Sequence, residues 1–149
     1  MDSLSVLYDR GTVPTILVAL ETFNGRTLAA GDIDSGSDRT LIPVEFLGEL
    51  GLKTSDLKKT QTRGLAASGG QFDTWSTPGI AVTGQIEVTA GSGFRPWGPV
   101  FKLRPYFADT ESLLLGQLDF FAAFDVHFVN ATSGPIFELC PRVQQIKGP

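Results

Sequence analysis

Three carboxylates fall within seven residues in the stretch DIDSGSDRTLIP, residues 32–43: Asp32, Asp34 and Asp38. A Ser-Gly pair divides them, and an apolar run containing Pro43 follows. Such a stretch can be a polar turn, a cation loop, or a carboxylate presented for acid–base chemistry. The turn reading is sound on its own terms, because Asp and Ser bond neighbouring backbone and Gly accepts positive φ. The calcium reading fails position by position. A twelve-residue loop starting at Asp32 would need an oxygen ligand at its fifth position, Gly at its sixth and a bidentate Glu at its twelfth, but Gly36, Ser37 and Pro43 stand there. Zinc is worse served, with one His (His127) and one Cys (Cys140) in the whole chain. The same scarcity leaves little material for a Ser-His-Asp or Cys-His nucleophile.

The flanking sequence says how Asp34 would be held. PTILVALETFNGRTLAAGDIDSG reads as a hairpin: Ile16, Val18 and Leu20 alternate with Leu17, Ala19 and Glu21, and Asn24-Gly25 is a strong hairpin-turn signal. The second run leads straight into Asp34, so this carboxylate is expected where a strand ends and a Gly-containing turn begins. Asp32 is expected to face elsewhere, as a solvated surface acid. PVEFLGELGL predicts a short helix, with Pro43 at its start, Phe46, Leu47 and Leu50 on one side, and Gly51 as its stop. A Gly-rich hairpin is expected around Ser68-Gly69-Gly70. Ile80, Val82, Ile86 and Val88 mark a further strand, GSGFRPWGP a loop, and VFKLRPYF another strand. Leu113-Leu114-Leu115 is a short, wholly apolar strand closed by Gly116, which predicts burial on both faces. QLDFFAAF can make a helical turn or two, and FDVHFVNATSGPIFELC a final hairpin. Within it His127 alternates with Phe124, Val126 and Phe128, which predicts an outward polar position. Phe120, Phe121 and Phe124 are expected in the core, and Trp75 and Trp97 in core or loop packing.

Composition agrees with one mainly β domain over residues 1–149. Seventeen Gly and nine Pro favour turns over helices, and eleven Phe suit half-buried pleated surfaces. The net charge of −4, with no Lys/Arg stripe beyond Lys58-Lys59, argues against a nucleic-acid partner. A single cysteine rules out an internal disulfide framework. MDSLSVLYDRG has neither the basic segment nor the apolar core of a secretory signal, and no apolar run reaches the length of a bilayer span. These features predict a cytoplasmic protein.

Three motifs now stand in order: DIDSGSDRTLIP, then RGLAASGGQF, then LLLGQLDFF about eighty residues after the first. This ordered set resembles the aspartic proteases of the retroviral type, the retropepsins, and among them the bacterial or cellular branch. Their pattern is apolar–Asp-(Ser/Thr)-Gly-(Ala/Ser), a Gly-rich flap, then apolar–apolar–Gly before a short helix. The resemblance covers roughly residues 13–140. It implies a mainly β, closed barrel-like acid-protease lobe with one or two short helices, working as a homodimer on peptide or protein substrates, with no cofactor and no metal. It implies that Asp34 is the catalytic carboxylate, paired with its symmetry mate. Ser35 and Gly36 belong to the active loop, with Leu115 and Gly116 packed beneath it. Gly36, Ser37, Asp38 and the flap residues Ala66, Ala67, Ser68, Gly69 and Gly70 then meet the substrate.

The chain departs from the viral pattern in two ways. Viral members usually carry Arg after the Gly of the third motif, where it pairs with an acid; here Gln117 stands there. One extra residue also separates that Gly from Asp119-Phe120-Phe121. Two other readings share the same residues: an inactive relative serving as a dimerisation or peptide-binding module, and an unrelated small β-barrel binding protein with a chance Asp-Ser-Gly.

Overall fold

A computed structural model of the chain describes residues 3–8, 13–65, 69–131 and 134–142. The first hairpin pairs β2 (Thr15–Thr22) with β3 (Gly25–Ile33), from Thr15↔Asp32 to Thr22↔Gly25. Its two-residue loop is therefore Phe23-Asn24, one residue earlier than the Asn24-Gly25 signal suggests. Gly25 is needed for a different reason from positive φ. A Cβ there would collide with the backbone of Glu49, Leu50 and Gly51, which packs directly beneath. The Thr22 hydroxyl donates to the Leu50 carbonyl (2.6 Å) and accepts from the Asn24 N–H (3.1 Å), fixing the turn to that segment.

Beyond the Asp-Ser-Gly turn, β4 (Leu41–Pro43) is wholly buried. The predicted α-helix at residues 43–52 is instead a 3₁₀ turn over Val44–Phe46, followed by further turns. Its bonds mix spacings, Leu47 N–H to Val44 O at 3.1 Å and Leu50 N–H to Phe46 O at 3.1 Å. Gly48 and Gly51 weaken a regular helix here, and Gly51, at φ 68°, ends it. The expected apolar side survives, with Leu47 and Leu50 buried.

The middle of the chain supplies short strands: β5 (Lys58–Lys59), β6 (Gly64–Leu65), β7 (Gln71–Phe72) and β8 (Trp75–Ser76). The long pair β9 (Val82–Ala90) and β10 (Gly93–Leu103) follows. The segment GSGFRPWGP, read as a loop, is therefore mostly strand. Its register to β9 breaks between Trp97 and Phe101, a bulge that admits Pro99 and Gly98. β10 lies at a sheet edge, where prolines leave no ladder partner unpaired.

β11 (Tyr106–Ala108), β12 (Leu113–Leu115), helix α1 (Phe120–Ala123), β13 (Phe124–Ala131) and β14 (Gly134–Pro141) complete the order. Several short elements were not foreseen, among them β4, β5 and β1 (Leu4–Leu7); the last, too short to show periodicity, pairs antiparallel with β14. The main sheet has nine strands in the order β10-β9-β2-β3-β12-β4-β11-β8-β5, with β10 and β5 at its ends. A second sheet runs β1-β14-β13, and β6-β7 form a separate two-stranded hairpin.

β12 is the element that matters for function. It lies between β3, parallel (Leu115↔Ile33), and β4, antiparallel (Leu114↔Leu41). Leu113 and Leu115 are buried and Leu114 is half-buried, so the burial expected on both faces is complete on one face and partial on the other. Phe101 meets Phe120 and Phe124 edge-to-face, with centroids 6.0 and 5.4 Å apart, Phe120 and Phe124 are tilted against each other at 5.3 Å, and Trp97 stacks on Phe124 at 6.1 Å. Phe121 is half-buried; His127 is exposed, but so are Phe128 and Val129, so the alternation expected along this strand does not extend past Val126. No helix among the described residues is long and apolar enough to cross a membrane.

Candidate active site

Asp34 follows the last residue of β3. Its N–H donates to the Leu115 carbonyl (3.1 Å), tying the point where the chain leaves the sheet to β12. Its carbonyl accepts from the Ser37 N–H (3.2 Å), which closes a turn through Ser35 and Gly36. Its half-buried carboxylate accepts the Gly36 N–H at Oδ1 (2.9 Å). Ser35, Gly36 and Asp38 are exposed and Ser37 is half-buried, with its hydroxyl donating to the Arg39 carbonyl (2.6 Å).

The third motif runs beside this loop. Gln117 N–H donates to Ser37 O and Leu118 N–H to Asp38 O, each at 2.9 Å. Gly116 is buried so tightly that a Cβ would lie 2.6 Å from the Arg39 carbonyl oxygen and 2.9 Å from that of Ser37. The Gln117 side chain, exposed, donates from Nε2 to the Ser35 carbonyl at 2.6 Å. This bond spans 82 residues of one chain and is a neutral hydrogen bond where Arg would pair with an acid. The extra residue before Asp119 is absorbed in the turn that exposes Gln117 and Leu118.

Two residues that the sequence did not single out hold this arrangement together. Asp119, buried, caps α1 by accepting the Phe120 N–H at Oδ1 (2.7 Å). The same oxygen accepts the Thr40 hydroxyl (2.6 Å), and Oδ2 accepts the Arg104 N–H (3.0 Å). Thr40, fully buried, in turn accepts the Gly116 N–H (3.2 Å). One carboxylate thus links the end of the Asp-Ser-Gly loop, the third motif, the helix and the end of β10. An Asp directly before an apolar pair is a readable helix cap; a Thr in the middle of RTLIP gives no comparable signal. Thr40→Val should cost about 2 kcal/mol in chemical denaturation, because it strips a buried carboxylate and a buried N–H of their shared partner. Thr40→Ser should cost less.

Asp32 is half-buried and accepts the Thr15 hydroxyl at 3.2 Å. Residues two apart on a strand share a face, so alternation does not separate Asp32 from Asp34. The end of β3 at Ile33 does. Among the described residues no three His, Cys, Asp or Glu side chains converge closely enough to hold a metal ion. Arg39 lies 4.2 Å over the Tyr106 ring and donates to the Arg104 carbonyl (3.1 Å).

β6 and β7 form the arms of the expected hairpin, with Gly64↔Phe72 and Leu65↔Gln71 paired. Gly69 and Gly70 are exposed near its end; Ala66, Ala67 and Ser68 lie outside the described residues. At its base Asp73 meets Lys59 Nζ (3.4 Å) and Arg63 Nε (3.3 Å), and the Thr60 and Thr74 hydroxyls bond each other at 2.5 Å.

No protein-family model matches the chain, and no curated protein matches it. Solved structures do. A retropepsin-like aspartic protease from Rickettsia conorii aligns at 15% identity over 92% of this chain and 98% of that one, with a TM-score of 0.52. The EIAV protease, in complex with the inhibitor HBY-793, aligns at 25% identity over 75% of this chain and 88% of that one, with a TM-score of 0.47. The near end-to-end match to the Rickettsia structure and the strand order around Asp34 agree: the chain has the retropepsin-like aspartic protease fold.

Proposed function

We propose that the chain is an aspartic endopeptidase whose active site forms between two copies, each contributing Asp34. The observation that carries this reading is the position of Asp34 in a retropepsin-like fold. Its carboxylate stands at the end of a central strand, with Oδ1 held by the Gly36 N–H and no bond to Oδ2 among the described residues. A carboxylate fixed at one oxygen and free at the other can receive a proton without losing its orientation.

One carboxylate is not enough for the reaction. The sequence holds a single Asp-Ser-Gly, and a two-fold homodimer would supply the second. Two like charges at close range do not both ionise, and the pair holds one proton between them. The ionised member takes a proton from water as that water attacks the scissile carbonyl carbon. The protonated member gives its proton to the carbonyl oxygen. The tetrahedral intermediate then collapses: one of its hydroxyls returns a proton to the ionised member, the C–N bond breaks, and the amine leaves with the proton that the other member took from water, so the pair again holds one proton. No covalent intermediate forms, and neither metal nor cofactor takes part. Gly36, Ser37 and Asp38 would bond the substrate main chain. Ala66, Ala67, Ser68, Gly69 and Gly70 would close over it.

The test is cleavage of a mixed peptide library at acidic and neutral pH by wild type and Asp34→Asn, with oligomeric state measured on the same samples. The proposal expects cleavage by a wild-type dimer and none by the variant. Cleavage by a strict monomer would overturn it.

A further inference from the structure

Gln117 has a place in the site that follows from one peptide group. The carbonyl of Ser35 and the N–H of Gly36 belong to the same planar amide. On one side of that plane the Ser35 carbonyl accepts Gln117 Nε2 at 2.6 Å. On the other side the Gly36 N–H donates to Asp34 Oδ1 at 2.9 Å. The acceptor is a carbonyl, so the Gln117 amide must face it with its nitrogen. Gln117 is itself anchored, because its own N–H donates to the Ser37 carbonyl (2.9 Å). Its backbone grips the loop after Gly36 and its side chain grips the loop before it.

We infer that Gln117 is a positioning residue for Asp34, acting through the Ser35–Gly36 peptide plane. The inference rests on the proteolytic reading of Asp34. Turning the plane would break both hydrogen bonds together. Polarising the carbonyl also strengthens the N–H as a donor to the carboxylate, since hydrogen bonds in series reinforce each other. Gln117 does this from an exposed position, so its removal leaves the core untouched.

The test compares wild type with Gln117→Met, Gln117→Glu and Gln117→Lys in the full chain. Two quantities are read: steady-state kinetics on a peptide that wild type cleaves, and hydrogen exchange at the Gly36 amide by NMR. Met matches the length of Gln without a donor, Glu presents an acceptor to an acceptor, and Lys restores a donor. Met and Glu should lower kcat by about fivefold, the scale of one exposed hydrogen bond, with KM changed by less than about twofold. The Gly36 amide should exchange faster in the same two variants. Melting temperatures should stay within about two degrees of wild type, and Lys should recover most of the loss. A fall in kcat without faster Gly36 exchange, or faster exchange without a fall in kcat, would overturn the inference, as would no change in either. Should wild type cleave no peptide, the proteolytic reading fails by itself. Gly36 exchange then decides alone whether Gln117 holds the peptide plane.

Discussion

Asp34→Asn should lower kcat/KM by about a thousandfold or more while leaving the fold and its melting temperature nearly unchanged. Asn keeps the shape of Asp, and its amide oxygen can still accept the Gly36 N–H that Asp34 Oδ1 accepts at 2.9 Å. The other ties of this position are made by backbone: its N–H to Leu115 and its carbonyl to Ser37. What the substitution removes is a group able to take a proton from water. In a homodimer it removes both members of the pair at once, so no partner remains to compensate. Neighbouring acids offer no replacement. Asp32 is engaged with Thr15, and Asp38 is exposed and follows the turn that closes at Ser37. The check is kcat/KM for one cleaved peptide from acidic to neutral pH, with thermal melts on the same samples. Residual activity within about tenfold of wild type would mean that water is activated elsewhere.

The largest expected loss of stability comes from Gly116→Ala, at about 3 kcal/mol or more. The obstacle is backbone: the new methyl would lie 2.6 Å from the Arg39 carbonyl oxygen, closer still to its carbon, and 2.9 Å from the Ser37 oxygen. No rotamer change relieves such a contact. Moving the segment apart would stretch the bonds from Gln117 N–H to Ser37 and from Gly116 N–H to Thr40. The same movement would pull on Thr40, and through it on Asp119. Whatever fraction still folds should therefore be impaired in catalysis as well. Gly48→Ala is the matched control, because a Cβ there meets nothing within 4 Å. Chemical denaturation of both variants reads the difference directly. A Gly116→Ala protein as stable as the Gly48→Ala control would contradict the close packing of the two motifs.

The parts of this fold that were legible in the sequence are those with local causes. Asp34 stands at the end of a strand because an alternating run stops and a turn tripeptide begins. Leu113 and Leu115 are core because the run that Gly116 closes is wholly apolar. Phe120 and Phe124 are core because nothing polar competes for the space. What escaped depends on partners distant in the chain. Pro96 and Pro99 look like loop residues until β10 is known to be an edge. The short apolar repeat at 44–50 looks α-helical until Gly48 and Gly51 are weighed against the packing of Leu47 and Leu50. Gly25 looks like a turn glycine, yet it answers to the backbone of residues 49–51. Thr40 carries no signal at all, since its role exists only when Asp119 and Gly116 arrive beside it. Gln117 was visible only as a missing arginine, and its bond to Ser35 needed coordinates.

The central claim is that one active site is built from two copies of Asp34. It is tested most directly by mixing wild-type and Asp34→Asn subunits in varying ratio at constant total protein, allowing exchange, and measuring peptide cleavage. A shared pair predicts that activity falls with the square of the wild-type fraction, because every mixed dimer is dead. Activity falling in simple proportion to the wild-type fraction would mean that each chain works alone, and would contradict the account.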